Sequence, residues 1–364
     1  MIRSPLRPDN AAAPKALAPL RMHRDGTAPW FRARDPLGIS SEIRVAWVAP
    51  GTGNIQWELL SHKEVDGLGA IARLARCHGI RILEQPQAVA QPIPSFSRLA
   101  WSRWRGQTPA TPVPFSRWAT PANGGSNEVS VGWFSVAETL ALKQAARQRG
   151  VPLSALLLAA LHDMVMTRLA APGSTAGAWL FPVSLRGSVA LTDPEANHLS
   201  GFYLPLPAAA DAATVQQAVR ARLRAGDHWW LWHQGRWASL LPQACINLLY
   251  RALLGRSSYL GSFSYLGEWW LDYRDSDLPA RTLLALCGPG SPNHPVANGI
   301  LICNGALTLS LRLDPALGCD DRAREACLGA WQDNLLALLP ASARGPGGEQ
   351  RRQLAPDTLL ETRL

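Results

Sequence analysis

The chain has 364 residues, 47% hydrophobic and 17% charged, and its 36 Lys+Arg against 27 Asp+Glu give a formal net charge of +9. So apolar a chain has ample surface to bury, which excludes wholesale disorder, and the lack of a short fixed repeat excludes a collagen or coiled coil. A basic balance suits an anionic partner such as a nucleotide-bearing cofactor, an acidic carrier protein, a membrane surface or nucleic acid, although only Lys15, Lys63 and Lys143 are lysines, so an arginine-rich composition explains much of it.

The length suits about two domains. Cys77, Cys245, Cys287, Cys303, Cys319 and Cys327 form no CxxC pair; they are expected as scattered, mostly buried thiols in a reducing compartment. Residues 1–15 carry Arg and Pro without an apolar run, so no signal peptide is expected and the cytoplasm is the expected location.

The first 20 residues or so are rich in Pro and Ala and are expected to be loose. Residues 41–49 (SEIRVAWVA) and 55–60 (IQWELL) have strand character, and Gly51-Thr52-Gly53-Asn54 between them supplies turn residues, so the pair predicts a hairpin. Residues 67–78 predict a helix with Leu68, Ile71, Leu74 and Ala75 on one face. From 85 to 125 periodicity is lost among Pro, Ser, Trp and Arg, which predicts a long crossover. Its interleaved Trp and Arg admit a nucleic-acid reading that nothing else in the chain supports.

A strand is expected at 128–134. Ser135 with Glu138 then forms a capping box for a helix that stops at Gly150. Pro152 and Ser154 open an apolar helix to about Arg168. The run 151–171 is interrupted by His162, Asp163 and Arg168, and reads as a buried helix rather than a membrane span. Strands are expected at 178–185, 202–206 and 307–313, a helix at 215–224 and a closing helix at 321–339. This irregular alternation predicts an α/β or α+β protein of two layered lobes. The N-terminal lobe is placed at 1–125, including the crossover 85–125, the C-terminal lobe at 126–345, and a loose tail at 346–364.

The chemistry is expected at Ser61-His62-Lys63-Glu64-Val65-Asp66-Gly67, where a strand ends and a helix opens. A strand end is rigid and can aim an imidazole, and a neutral histidine suits proton abstraction at physiological pH. Asp66 is too far along the turn to be assumed a partner of the ring; an acid there more often fixes the loop by pairing with an arginine. Gly67 lets the chain turn tightly. Elsewhere, Trp229-Trp230-Leu231-Trp232-His233 and Trp237 read as packing, or more sharply as a membrane-facing patch. No acid or thiol cluster accompanies His228 and His233, so no metal site is expected. Gly288-Pro289-Gly290-Ser291-Pro292 lacks a lysine and a following helix, and reads as a loop rather than a phosphate cradle.

The strand–His–turn–AspGly–helix segment resembles the HHxxxDG motif of the CoA-dependent acyltransferase superfamily, which includes chloramphenicol acetyltransferases, condensation domains, polyketide-associated acyltransferases and wax-ester synthases. Ser61 stands where that motif has its first histidine, and His62 where it has the catalytic one. Ala18-Pro19-Leu20-Arg21, residues 134–158, Phe181-Pro182-Val183-Ser184-Leu185-Arg186, residues 197–207 (NHLSGFYLPLP) and Phe263-Ser264-Tyr265-Leu266-Gly267 are similar to further family stretches in the same order, together spanning roughly 17–340. Tyr265 stands where many relatives have Asn, and the start of the chain leaves little room for the family's opening strand and helix.

The resemblance implies a two-lobed, chloramphenicol-acetyltransferase-like fold with an interlobe tunnel, and His62 as general base on an acceptor hydroxyl or amine that attacks an acyl thioester. It implies that Asp66 pairs with Arg186 to hold the loop, and it makes Ser264 a candidate oxyanion donor. No bound cofactor is implied; acyl-CoA or acyl-phosphopantetheine enters as co-substrate. The expected partners are an acidic acyl-carrier protein and a small-molecule or lipid acceptor, with peripheral membrane contact, no nucleic acid and a monomeric chain, in secondary metabolism or lipid biosynthesis. Ester formation is favoured over amide formation, and the rival from another class is a non-catalytic binding or scaffold relative.

Overall fold

The structure is a computed structural model that describes residues 23, 25–48, 55–104, 127–254, 259–279 and 282–341. The loose leader with Ala18-Pro19-Leu20-Arg21, the turn at 51–54, residues 105–125 of the crossover and the tail at 346–364 lie outside the described residues.

A short helix, α1 (Ala28–Arg32), precedes β1 (Glu42–Val48) and β2 (Ile55–Ser61). The strands pair antiparallel, with Glu42 opposite Ser61 and Val48 opposite Ile55, which is the expected hairpin. Helix α2 (Gly67–Cys77) buries Ile71, Leu74 and Ala75 and is followed by β3 (Arg81–Glu84). Helix α3 (Phe96–Trp104) lies inside the segment expected to be irregular. Among its described side chains Leu99 is the buried apolar one, packing with Trp229, so no amphipathic repeat marks the helix in the sequence.

Strand β4 (Val129–Phe134) leads into α4 (Val136–Gln148), where Ser135 and Glu138 make both halves of the capping box. In α5 (Leu153–Arg168), Leu156, Leu157, Leu158, Leu161, Met164 and Val165 are all buried. His162 is buried among them and satisfied: Trp179 Nε1 donates to its Nδ1 at 3.1 Å, and its Nε2 donates to Pro207 O at 2.8 Å. No single helix among the described residues is long and apolar enough to cross a membrane; α4 and α5 pass that test only as a pair bent by 99°.

Strands β5 (Ala176–Ser184) and β6 (Leu199–Pro207) follow, then helices α6 (Ala212–Ala225), α7 (Asp227–Ala238) and α8 (Gln243–Leu254). The chain continues through β7 (Gly261–Ser262), β8 (Tyr265–Asp272), β9 (Leu283–Cys287), β10 (Val296–Cys303), β11 (Ala306–Leu313) and α9 (Asp321–Leu336). The last helix stops three residues short of the expected end. Four of the six cysteines, Cys287, Cys303, Cys319 and Cys327, are buried, while Cys77 and Cys245 are exposed.

The class is mixed α/β. One sheet has the order β2-β1-β9, and an eight-stranded sheet runs β3-β8-β10-β7-β5-β6, with β11 beside β10 and β4 beside β11. The two sheets are tied where β9 crosses β10 and β11. Thr308 Oγ1 donates to Leu284 O at 2.7 Å. Gly299 permits this approach, since a Cβ there would lie 1.6 Å from Leu286 O. Strand β9 pairs with β1, and β8 with β3, so residues before 105 and after 259 share both sheets. One large core gathers α5, α9, β6 and β11, and a second lies under α2 between β1 and β8.

Candidate active site

His62 follows the last residue of β2, and its N–H donates to Ser41 O at 2.8 Å, extending the hairpin by one bond. The chain then turns at once, with the N–H groups of Glu64 and Val65 donating to Ser61 O. Asp66 closes the turn as N-cap of α2, its Oδ1 accepting from Gly69 N–H at 2.9 Å. Gly67 is not in the left-handed region; it serves a close approach, since a Cβ there would meet Leu266 Cδ2 at 2.6 Å.

Asp66 is completely buried and its charge is answered on every side. Besides Gly69, its Oδ2 accepts from His198 N–H at 3.0 Å and from Arg186 Nη1. Arg186 also donates to Ala196 O at 3.1 Å. The aspartate therefore ties the loop to residues 186–198, and it has no hydrogen bond to the His62 ring. The same segment supplies Asn197, which is buried and to which the sequence reading assigned no role. Its Oδ1 accepts from Leu199 N–H at 3.1 Å, which points its Nδ2 at His62, where it donates to the backbone oxygen at 3.2 Å.

Two groups reach the imidazole Nδ1 and ask opposite things of it. Asn197 Nδ2, which can only donate, lies 3.1 Å away. Val65 O lies closer, 2.9 Å from Nδ1. A carbonyl only accepts, and Asn197 Nδ2 has the His62 backbone oxygen as an acceptor, so the shorter contact favours the proton on Nδ1 and the lone pair on Nε2. Burial pushes the ring down from 6.5 to about 4, against the opposing pull of Asp66. The ring is therefore neutral at physiological pH and base-competent at Nε2.

Two further residues shape the site from the N-terminal side, and neither was singled out in the sequence. Phe31 of α1 stacks on the His62 ring with centroids 4.2 Å apart. The Arg34 guanidinium lies 5.7 Å from the Phe31 centroid, and its charge also pushes His62 down. Arg34 is buried; it donates through Nη2 to Gly290 O, and its Nε has no partner. The glycine-rich loop thus serves as an acceptor for a buried cation. The cavity adjoining Asn197 is a narrow cleft lined by Thr27, Leu185, His198, Leu199 and Trp232.

Ser264 sits between β7 and β8, where its N–H donates to the buried Asn298 Oδ1 at 3.1 Å and its carbonyl accepts from Ile300 N–H. No described contact joins it to His62. The structure thus brings together His62, Asp66, Gly67 and Arg186 and adds Asn197, Phe31 and Arg34. Among the described residues no group of three or more His, Cys, Asp or Glu has the arrangement to hold a metal ion.

The stacking of Phe31 predicts a pH effect of definite sign. Phe31→Ala admits water to the ring, so its pKa should rise from about 4 towards 6.5. An NMR titration of the His62 ring should show the rise directly. In any reaction that needs the neutral ring, the variant should lose activity as pH falls through 6 to 5, where the parent retains it.

No protein-family model matches the chain, and no curated protein is significantly similar to it. Similar solved structures are of condensation and acyltransferase type. The epimerization domain from the third module of tyrocidine synthetase B is 15% identical, with 77% of this chain and 67% of that chain covered and a TM-score of 0.47. The trichothecene 15-O-acetyltransferase from Fusarium sporotrichioides is 11% identical, covering 67% and 52%, with a TM-score of 0.46. Polyketide synthase associated protein 5 from Mycobacterium tuberculosis is 17% identical, covering 76% and 71%, with a TM-score of 0.43. The chain thus spans between about half and seven-tenths of the length of these structures. With TM-scores under 0.5 these likenesses say nothing of activity, so the functional reading rests on the geometry around His62.

Proposed function

We propose that this chain is an acyltransferase that moves an acyl group from a thioester to an acceptor hydroxyl, with His62 as general base. The observation that carries this reading is the ring's anchoring: Nδ1–H is held by Val65 O, which leaves Nε2 unprotonated. Nε2 takes the proton of the acceptor hydroxyl as its oxygen bonds to the thioester carbonyl carbon. The tetrahedral intermediate collapses by breaking the C–S bond, and the imidazolium returns the proton to the departing thiolate. An ester and a free thiol leave, and the ring is restored with no acyl-enzyme formed. In this reading, bringing donor and acceptor together at the ring contributes orientation as well as proton transfer.

The donor in this reading is acyl-CoA or acyl-phosphopantetheine on an acidic carrier protein, and the net charge of +9 favours the carrier. Docking through exposed charges is screened over about 8 Å at physiological ionic strength, so KM for the carrier-bound donor should rise steeply with salt. A KM independent of salt, together with efficient use of the free CoA thioester, would reverse that preference.

The test of the reaction itself is thiol release measured with donor alone and with donor plus a panel of alcohols, alongside the intact mass of the protein. Release that depends on acceptor, with no acyl adduct on the protein, is expected. A stable acyl adduct would contradict the mechanism. Binding of both donors without release across the panel would mark a non-catalytic protein, and product confined to amines would move the reading to amide formation.

A further inference from the structure

Helix α8 is inside out. Its inward side carries Ile246, which is buried, and Gln243, Asn247 and Tyr250, which are half-buried. Gln243 Nε2 donates to Pro29 O and to Asn247 Oδ1, both at 2.9 Å, so its polar capacity is spent against α1 and within the helix. The outward side carries Ala244, Cys245, Leu248, Leu249, Ala252 and Leu253, all exposed. A helix facing water shows the opposite arrangement. Leu248 is 69% exposed, and in the segment leading into α8 Leu240 is 70% and Trp237 60% exposed. Six of the fourteen exposed large hydrophobic side chains among the described residues fall between Trp237 and Leu253, too concentrated to be the scattered apolar residues of an ordinary surface.

The charge around this face indicates what covers it. From His228 to Gly267 the sequence has no Asp or Glu, and it has Arg236, Arg251 and Arg256. Residues 85–127 are likewise free of acids. Their helix α3 sits on α7, with Phe96 stacked on Trp230 at 5.0 Å, and it exposes Arg98 and Trp101. Of the tryptophans read as a dense patch, Trp229 is buried and Trp237 exposed, so the outward apolar surface is mostly leucine. Exposed leucines and a tryptophan interspersed with arginines, in a stretch of chain that holds no acid, are the chemistry of an interfacial helix on an anionic bilayer.

We propose that the outward face of α8 and the segment 237–241 dock on an anionic lipid bilayer, the leucines entering the acyl boundary and Arg236 and Arg251 meeting the headgroups. This goes beyond the acyl-transfer reading and does not depend on it. Helix α8 rests on α1, whose Phe31 covers His62, so the docked face lies one helix away from the candidate site.

Flotation of the full chain with vesicles of phosphatidylcholine, alone or with phosphatidylglycerol, tests the proposal at low and high salt. Binding should favour the anionic vesicles and weaken with salt. Leu248→Ser/Leu249→Ser should lower the partition coefficient at least about tenfold, and Arg251→Gln about fivefold. These side chains are exposed, so melting temperatures should hold; Leu240→Ser/Leu241→Ser is a second variant should the first not fold. No flotation at low salt, or flotation unchanged in both leucine variants, would overturn the proposal. So would a dimer in solution that the leucine variants dissolve, which would make the face a contact between copies of this chain.

Discussion

Breaking the Asp66–Arg186 pair is expected to destabilise the protein by about 3–5 kcal/mol whichever partner is replaced. Asp66 has no exposure, so Arg186→Met leaves a buried carboxylate with only the N–H groups of Gly69 and His198. Asp66→Ala strands those two donors, removes the cap of α2 and leaves Arg186 unpaired. Because the two side chains meet, the double replacement Asp66→Ala/Arg186→Met should cost less than the sum of the singles. Urea unfolding of the four proteins measures the cycle. Strict additivity would show that the pair does not act as a unit.

The second large effect falls on catalysis. His62→Ala should lower the rate by about 10²–10⁴, because removing the ring removes the proton acceptor at Nε2 while the oxygens and N–H groups that hold the loop remain. The His62 backbone bonds Ser41 O and Asn197 Nδ2, and alanine keeps both, while the ring's bond to Val65 O goes. The stacking on Phe31 is lost, so the stability change should be modest beside that of Asp66→Ala. A variant that loses activity and stability together would point to a structural role for the ring.

What was legible in the sequence was what is local in the chain. The hairpin, the capping box at Ser135 and the turn from His62 to Gly67 are each made by residues within a few positions of one another, so spacing and residue type suffice. The pairing of Asp66 with Arg186 spans 120 positions and came only from a resemblance. Asn197, which lies 135 positions from His62, had no local signal at all, since an Asn before a strand usually marks a turn. Phe31 sits in a helix of five residues and Arg34 caps the three-residue turn after it, both too short to show a periodicity. Strand β10 was missed because Asn298 and Gly299 interrupt its apolar run. Asn298 is buried there because it bonds Ser262 O and Ser264 N–H, and Gly299 is there because β9 passes too close for a side chain. Helix α8 was missed for a different reason, its polar side being the one the fold covers.

The central claim, that His62 is the base in acyl transfer from a thioester, is tested most directly by thiol release from one accepted acyl-thioester in the presence of acceptor alcohol. Wild type and His62→Ala are compared at matched fold and concentration. Wild type should release thiol at a rate well above that of the uncatalysed reaction, and the variant should fall at least about a hundredfold below it. Equal rates for the two proteins would contradict it.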